Sequence, residues 1–225
     1  MSTLMPLAPE NIERRVLVAV ELFDPVTLSI VNRGLTVLAR GLAATPILSW
    51  SGRYVWQPEL DAWPTSYEVS ADAAFYQNVS QPAPPKPADM TNIARLNRLT
   101  RIVLSPTCAY PFPDGLTVIR GRLAETADPQ SARIAGATIG LIWQIDATAG
   151  AGQVTSPMTS TTDSAGQFAL ILRPPTSSKP SLNQGQLSIQ IRATRAAETR
   201  LDTKRSVADG ALTDLPTQLA WSDMT

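Results

Sequence analysis

The chain has 225 residues, of which 44% are hydrophobic and only 17% are charged. This hydrophobic share is sufficient for a buried core and excludes a globally disordered chain. The 19 basic residues balance the 19 acidic ones, so the formal net charge is zero. A nucleic-acid partner is therefore not expected, because binding to phosphates requires a basic surface.

The sequence contains no histidine and a single cysteine, Cys108. The missing histidine excludes Ser-His-Asp and Cys-His nucleophilic sites, and zinc sites with histidine ligands. A lone cysteine forms no disulfide within the chain, and we interpret Cys108 as a small buried side chain rather than a reactive thiol. We predict that the protein is not an enzyme and that it holds no cofactor and no metal ion.

An enzyme that uses carboxylates alone remains an alternative. Glu59 with Asp61, or Asp209 with Asp214, could form the paired carboxylates that glycoside hydrolysis requires. Both pairs lie in predicted loops, where acidic residues are ordinarily solvated turn residues. We favour the turn interpretation.

The first residues show no basic region followed by an apolar one, so no signal peptide is predicted. No apolar run approaches the ~18 residues of a membrane helix, and membrane insertion is not expected. We expect cytoplasmic synthesis, with residues 1–13 as an N-terminal arm in which Pro6 and Pro9 oppose regular structure.

The first half is predicted to form a β-sandwich module over residues 14–80. Residues 16–23 are rich in β-branched side chains and predict a strand, and Asp24-Pro25 begins a turn. Residues 48–56 contain a Ser-Gly turn followed by an alternating aromatic strand. The segment 67–76 continues in strands or extended chain.

A proline-rich linker is predicted at residues 81–92. The stretch QPAPPKPAD at 81–89 has four prolines in nine residues, a composition that favours polyproline II and a semi-rigid spacer. A ligand for a proline-recognition domain is the alternative. The following stretch 93–104 fits a helical turn in its first part and a strand in its last.

Residues 93–225 are predicted to form a second β-sandwich. Its strands are expected at 116–123, 137–145, 167–172 and 186–193, with a sheet edge closed by 212–221. No amphipathic helix of normal length interrupts them. The predicted fold class is therefore all-β, with two tandem β-sandwich domains.

The clearest local pattern is the turn at Asp163 to Gly166 and the strand that follows it. Asp163 can accept a hydrogen bond from the backbone two residues on, and Gly166 tolerates a positive φ, so a hairpin tip is predicted. Period-2 alternation then places Phe168, Leu170 and Leu172 on one face, which we predict to be the core face.

The two halves repeat one order of signals. Asp24-Pro25, Gly34 and Gly52 in the first half correspond to Asp128-Pro129, Gly136 and Gly166 in the second, with longer spacers. We interpret this order as two divergent copies of one sandwich. Independent recurrence of common turn signals is the alternative.

The second half resembles the carboxypeptidase regulatory-like domains of the transthyretin-like sandwiches, and more loosely the collagen-adhesin B-type repeats. The resemblance covers about residues 115–193 and rests on TVIRGRL at 117–123, IAGATI at 134–139 and TDSAGQFAL at 162–170. It implies a seven-strand transthyretin-like or immunoglobulin-like sandwich without catalytic activity, used as a scaffold or contact module. Some adhesin repeats carry an internal isopeptide bond, but Arg120 and Arg122 stand where the lysine would be, so no such bond is expected.

Aromatic residues concentrate in the first half, and Trp50, Tyr54, Trp56 and Trp63 are the predicted contact surface. Tryptophan anchors many protein interfaces, although burial in the core is its commoner fate. We predict a non-enzymatic structural or adaptor protein that contacts other protein subunits or its own copies. A subunit of a phage tail, or of a phage-tail-like contractile particle released as a virion-like body, fits this prediction. A carbohydrate- or surface-binding module that uses the tryptophans is the alternative.

Overall fold

The computed structural model describes residues 16–57, 62–71, 74–88, 98–145, 152–174 and 179–225. Within these ranges the protein is built from strands, which confirms the all-β fold class. The strands are β1 Val18–Asp24, β2 Ser29–Ile30, β3 Leu35–Arg40, β4 Ile47–Leu48, β5 Tyr54–Trp56, β6 Ser66–Ala71, β7 Val79–Pro82, β8 Leu99–Val103, β9 Val118–Ala124, β10 Thr138–Gln144, β11 Gln153–Thr161, β12 Gln167–Ile171, β13 Leu182–Asn183, β14 Gln186–Arg195, β15 Glu198–Leu201, β16 Arg205–Ala208, β17 Leu212–Asp214 and β18 Leu219–Ala220. A short 3-10 helix, Trp221–Asp223, follows β18.

The chain forms two compact units whose segments are not contiguous in sequence. The first unit comprises Met1–Phe23, Ile30–Val69 and Val79–Ile102, and the second comprises Asp24–Ser29, Ser70–Asn78 and Val103–Thr225. Two units were predicted, but a single division of the sequence between residues 80 and 93 is wrong.

The predicted proline-rich linker belongs in large part to the first unit. Its first two residues lie in β7, where Gln81 pairs with Tyr67 of β6. The indole Nε1 of Trp63 donates a hydrogen bond of 2.8 Å to the carbonyl oxygen of Pro84. Beyond it, β8 pairs with β1, so the strand interpretation of the last part of 93–104 is confirmed. Residues 89–97 lie outside the described part of the protein, as does the whole of the predicted arm at 1–13.

The first unit contains two sheets that meet through aromatic side chains. One sheet has the order β2-β1-β5-β4 with β8 also paired to β1, and the other has the order β3-β6-β7. Alternation along the strands buries Val37 and Ala39 of β3 and Tyr67 and Val69 of β6. The rings of Trp56 on β5 and Tyr67 on β6 lie 6.1 Å apart, which brings the two sheets together.

The second unit is also built from two sheets. The larger has the order β11-β10-β14-β13, with β15 and β16 also paired to β14, and the smaller has the order β12-β9-β17, with β18 also paired to β9. The predicted edge at 212–221 is confirmed, since β17 and β18 both run parallel to β9. The core between the sheets includes Trp143, Phe168, Leu170, Leu172 and Ile191.

The turn before β12 has the predicted chemistry but a different role. The Asp163 carboxylate accepts hydrogen bonds from the backbone N–H groups of Ala165 (2.9 Å) and Gln167 (2.7 Å). Gly166 has φ of 71°, and a Cβ on it would lie 2.4 Å from the carbonyl oxygen of Leu123. The hairpin prediction is wrong, because β11 pairs with β10 whereas β12 pairs with β9. The turn therefore leads the backbone from one sheet to the other.

The outer face of β12 is also covered. Ile171 packs there with Val26 and Tyr110, and partly buried Tyr76 and Phe112 join this cluster. Both faces of β12 are thus buried, which explains why the strand reads as an almost continuous apolar run.

Part of the strand order is the same in the two units. β1 and β5 pair antiparallel in the first unit, as β9 and β12 do in the second. The intervening strands, β3 and β10, belong to the opposite sheet in each case. After β1 and after β9, an Asp-Pro turn is closed by the aspartate: Asp24 accepts from the N–H of Val26 (2.7 Å), and Asp128 from that of Gln130 (2.8 Å). This correspondence supports the interpretation as two copies of one sandwich.

Candidate functional site

The structure separates the four aromatic residues of the predicted contact surface. Trp50 is fully exposed, and Trp63 is half-buried. Tyr54 and Trp56 are 8% and 1% exposed and belong to the core of the first unit. Their assignment to a contact surface is therefore wrong, because alternation along β5 directs both side chains inward.

Trp50 lies at the tip of the hairpin formed by β4 and β5. The backbone N–H of Gly52 donates to the carbonyl oxygen of Ser49 (2.9 Å), and the N–H of Ser49 donates to the carbonyl oxygen of Arg53 (2.8 Å). Gly52 has φ of 77°, which a glycine adopts without strain. The Ser49 hydroxyl also accepts from the N–H of Arg53 (3.1 Å). These bonds define the turn, so the indole is presented to solvent on an ordered backbone.

Further apolar side chains are exposed around this tip. Ile47 and Leu48 of β4 are 51% and 48% exposed. A Cβ on Gly52 would lie 3.3 Å from Cγ2 of Ile30, so the exposed end of β2 is next to the turn. We call the exposed side chains Ile30, Ile47, Leu48 and Trp50 the hairpin surface, in which Ile47 and Leu48 lie on the two opposite faces of β4. Only its tryptophan was identified from sequence, because two consecutive apolar residues in a two-residue edge strand show no alternation.

A second notable group, on β1 and the strands beside it, is an ion-pair network. The Glu21 carboxylate is buried and receives hydrogen bonds from Nε of Arg53 (2.9 Å) and Nε of Arg101 (2.7 Å). The Arg101 guanidinium also lies 5.0 Å from the ring centroid of Phe23. Burial by itself would raise the pKa of Glu21, but the hydrogen bonds and charges of Arg101 and Arg53 outweigh it and lower the pKa. The network is structural, since all three groups satisfy one another.

We expect Glu21→Gln to destabilise the first unit by roughly 1–2 kcal/mol at neutral pH, because it removes two charge-assisted hydrogen bonds to partly exposed arginines. A carboxyl with a lowered pKa stabilises the fold above its unfolded pKa, and this contribution is lost as the pH falls through the folded pKa. The difference between wild type and variant should therefore shrink toward strongly acidic pH. Urea unfolding of both proteins at neutral and acidic pH measures this. A difference that stays constant with pH would contradict the assignment.

The second unit contains a buried polar group at Asp24 that also has a structural explanation. Its carboxylate accepts from the Tyr110 hydroxyl (2.6 Å) and the Thr27 hydroxyl (2.8 Å), besides the N–H of Val26. Burial and the nearby Asp24 raise the pKa of Tyr110 to about 12. A phenol with so high a pKa is a poor general base or nucleophile at neutral pH. This group therefore anchors the turn after β1.

In the described part of the protein, the residues considered for chemistry make contacts within the fold. There, no group of three or more Cys, Asp or Glu side chains could hold a metal ion. Asp209 accepts a hydrogen bond from the Thr117 hydroxyl (2.8 Å), a bond within the fold. Burial is the main cause of the raised pKa of the half-buried Cys108 thiol, as expected for an unreactive cysteine. Glu59 and Asp61 lie outside the described residues.

Comparisons with known proteins found one distant structural likeness. No family model matches it, and no curated protein matches it. Among solved structures, it is similar to the Bacillus anthracis TIE protein at 10% identity and a TM-score of 0.26, over 90% of this chain and 34% of that one. The sequence thus spans about a third of that protein, and a likeness this low carries neither fold nor function over. Across the described ranges, no helix is long and apolar enough to cross a membrane.

Proposed function

We propose that this protein is a non-enzymatic structural or adaptor protein that acts through protein–protein contacts, with the hairpin surface as its contact site. The observation that carries the proposal is the full exposure of Trp50 at the tip of a hydrogen-bonded turn. Tryptophan is the residue most enriched among interface hot spots, and solvent exposure of the whole indole costs free energy that a partner would recover.

The surroundings of Trp50 support a protein partner. The exposed Ile47 and Leu48 lie on the strand that leads into the Trp50 turn, and Ile30 lies next to Gly52 of that turn. An aromatic anchor with apolar neighbours is typical of an interface core. The ordered turn lowers the entropy that binding must overcome. The assembly that we propose is a multi-subunit particle, such as a phage tail or a phage-tail-like contractile particle.

The structure gives less support to the carbohydrate-binding alternative. A stacking platform for sugars needs several exposed aromatic rings in one plane, and the sequence offered Trp50, Trp56 and Trp63 for it. Trp56 is 1% exposed and Trp63 is half-buried against the proline-rich segment, so the three rings do not form such a platform.

We expect Trp50→Ala to weaken assembly by roughly 30-fold, which corresponds to a hot-spot loss of about 2 kcal/mol. The protein would be purified from its natural host together with the proteins bound to it. Sedimentation velocity would then measure the amount of these complexes and of any oligomer of the protein itself. The matched control is Leu182→Ala, which removes an exposed side chain of the second unit. Both variants should melt within a degree or two of wild type.

Loss of the complex in Trp50→Ala alone, with the fold intact, would support the proposal. A complex of equal stability in Trp50→Ala would overturn the hairpin surface as the contact site. A protein that forms neither a complex nor an oligomer, or a purified protein with hydrolytic activity, would overturn the proposed function itself.

A further inference from the structure

The second unit has a cleft of about 540 Å³ on the outer face of the sheet β12-β9-β17. On β9, Ile119 and Leu123 point into the core, so alternation directs Arg120 and Arg122 to the outer face. Pairing then places Gln167 of β12 opposite Arg122 and Asp214 of β17 opposite Arg120. Two guanidinium groups, the Asp214 carboxylate and the amides of Gln167 and Gln218 therefore line the same cleft.

The Arg120 side chain is held in place but incompletely satisfied. Its Nη2 donates to the carbonyl oxygen of Tyr110 (3.2 Å), and its guanidinium lies 5.2 Å from the ring centroid of Phe112. Its Nε is buried and has no hydrogen-bond partner among the described residues. Buried donors are normally paired, so this Nε is an unsatisfied polar group on a side chain that lines the cleft.

Arg122 is the free cation of the pair. It is half-buried, and its guanidinium forms no hydrogen bond and no ion pair with the described residues, the Asp214 carboxylate of the same cleft included. The cleft thus has two positive groups and one negative group. Arginine presents a planar fork of N–H donors that matches a carboxylate in two-point contact.

We propose that this cleft binds the carboxylate of a peptide, with Arg122 as the principal ligand. Asp214 repels a doubly charged phosphate more strongly than a singly charged carboxylate. It can also accept a hydrogen bond from a peptide N–H next to that carboxylate. Leu215, Pro216 and Pro129 give the remaining wall an apolar character that suits a side chain of the peptide. The volume is that of an ordinary small-ligand site and holds only a few residues.

Both the free C-terminus of a peptide and an acidic side chain carry a carboxylate, and short peptides distinguish these two sources. The probes are an N-acetylated tripeptide with a free C-terminal carboxylate, the same tripeptide as its C-terminal amide, and an amide tripeptide with a central aspartate. Their affinities for the full-length protein, and that of inorganic phosphate, would be measured by calorimetric titration. The variants are Arg122→Gln and, as a charge-matched control, Arg33→Gln on an exposed loop of the first unit.

We expect at least one carboxylate peptide to bind, and Arg122→Gln to weaken it about tenfold or more, the loss expected for a charge-assisted hydrogen bond. Arg33→Gln should bind as wild type. Tighter binding of the tripeptide with a free C-terminus than of the aspartate-containing amide would identify the ligand as the C-terminus of a peptide. Tighter binding of the aspartate-containing amide would identify it as an acidic side chain. Absence of binding by every peptide, binding that Arg122→Gln leaves unchanged, or tighter binding of phosphate would overturn the proposal. Each outcome is independent of Trp50 and of the hairpin surface.

Discussion

Phe168→Ala is expected to destabilise the second unit by about 3–5 kcal/mol, a large share of the stability of a domain. Phe168 is fully buried, and a Cβ on the facing Gly121 would lie 2.6 Å from its ring. The glycine leaves room for that ring and for no other atom, so truncation leaves a cavity that the close-packed sheets cannot fill without moving β9. Calorimetry should show the melting transition of the variant lower by about 10 °C or more.

Leu182→Ala is the control for this prediction, since Leu182 is 54% exposed on β13. Its effect should stay within about 0.5 kcal/mol, the usual range for an exposed position. A Phe168→Ala protein that melts within a degree of wild type would mean that β12 is shifted by one residue, which would direct Phe168 to the opposite face of its sheet.

Trp56→Ala is expected to destabilise the first unit by about 3–5 kcal/mol, whereas Trp50→Ala should change stability by less than about 0.5 kcal/mol. The two tryptophans are six residues apart and chemically identical, but one is 1% exposed and the other is fully exposed. Urea unfolding of both variants measures the contrast. Equal losses of stability in the two variants would contradict the inward orientation of the Trp56 side chain on β5.

Trp56→Phe refines the same experiment. The indole Nε1 of Trp56 is buried without a hydrogen-bond partner among the described residues, and an unpaired buried donor costs about 1–3 kcal/mol. Phenylalanine removes that donor and keeps an aromatic ring against Tyr67. We therefore expect Trp56→Phe to restore most of the stability that Trp56→Ala loses. A phenylalanine variant as unstable as the alanine one would show that the volume of the indole, rather than its aromatic contact, is what the core requires.

Local chemistry was largely predictable from the sequence. The turn residues Asp163 and Gly166 and the inward set Phe168, Leu170 and Leu172 were identified correctly. These features depend on side-chain hydrogen bonds over two to four residues and on the period of a strand. Both are determined by residues that are close together in the sequence. The all-β fold class follows from the same local information, repeated along the sequence.

Partner choice between strands was not predictable in this way. The turn at 163–166 has the composition of a hairpin, yet it joins strands of different sheets, since β11 pairs with β10 and β12 pairs with β9. The division into units shows the same limit, since each unit takes three separate segments of the sequence. Proline content identified an irregular segment, but proline at a strand end is compatible with an edge strand such as β7.

The same distinction between local sequence and tertiary pairing applies to the candidate sites. That Trp50 belongs to a tight Ser-Gly turn is determined by Ser49, Ser51 and Gly52 themselves, so exposure of the residue at the tip follows from sequence. Burial of Trp56 and Tyr54 was decided by the sheet that faces them. The cleft with Arg120 and Arg122 exists only because β12 and β17 flank β9, and these strands are separated from β9 by more than 40 and more than 80 residues. Sequence determines which side chains a strand presents on each face, but only tertiary pairing decides what they meet there, because contacts between distant segments depend on the free energy of the whole fold.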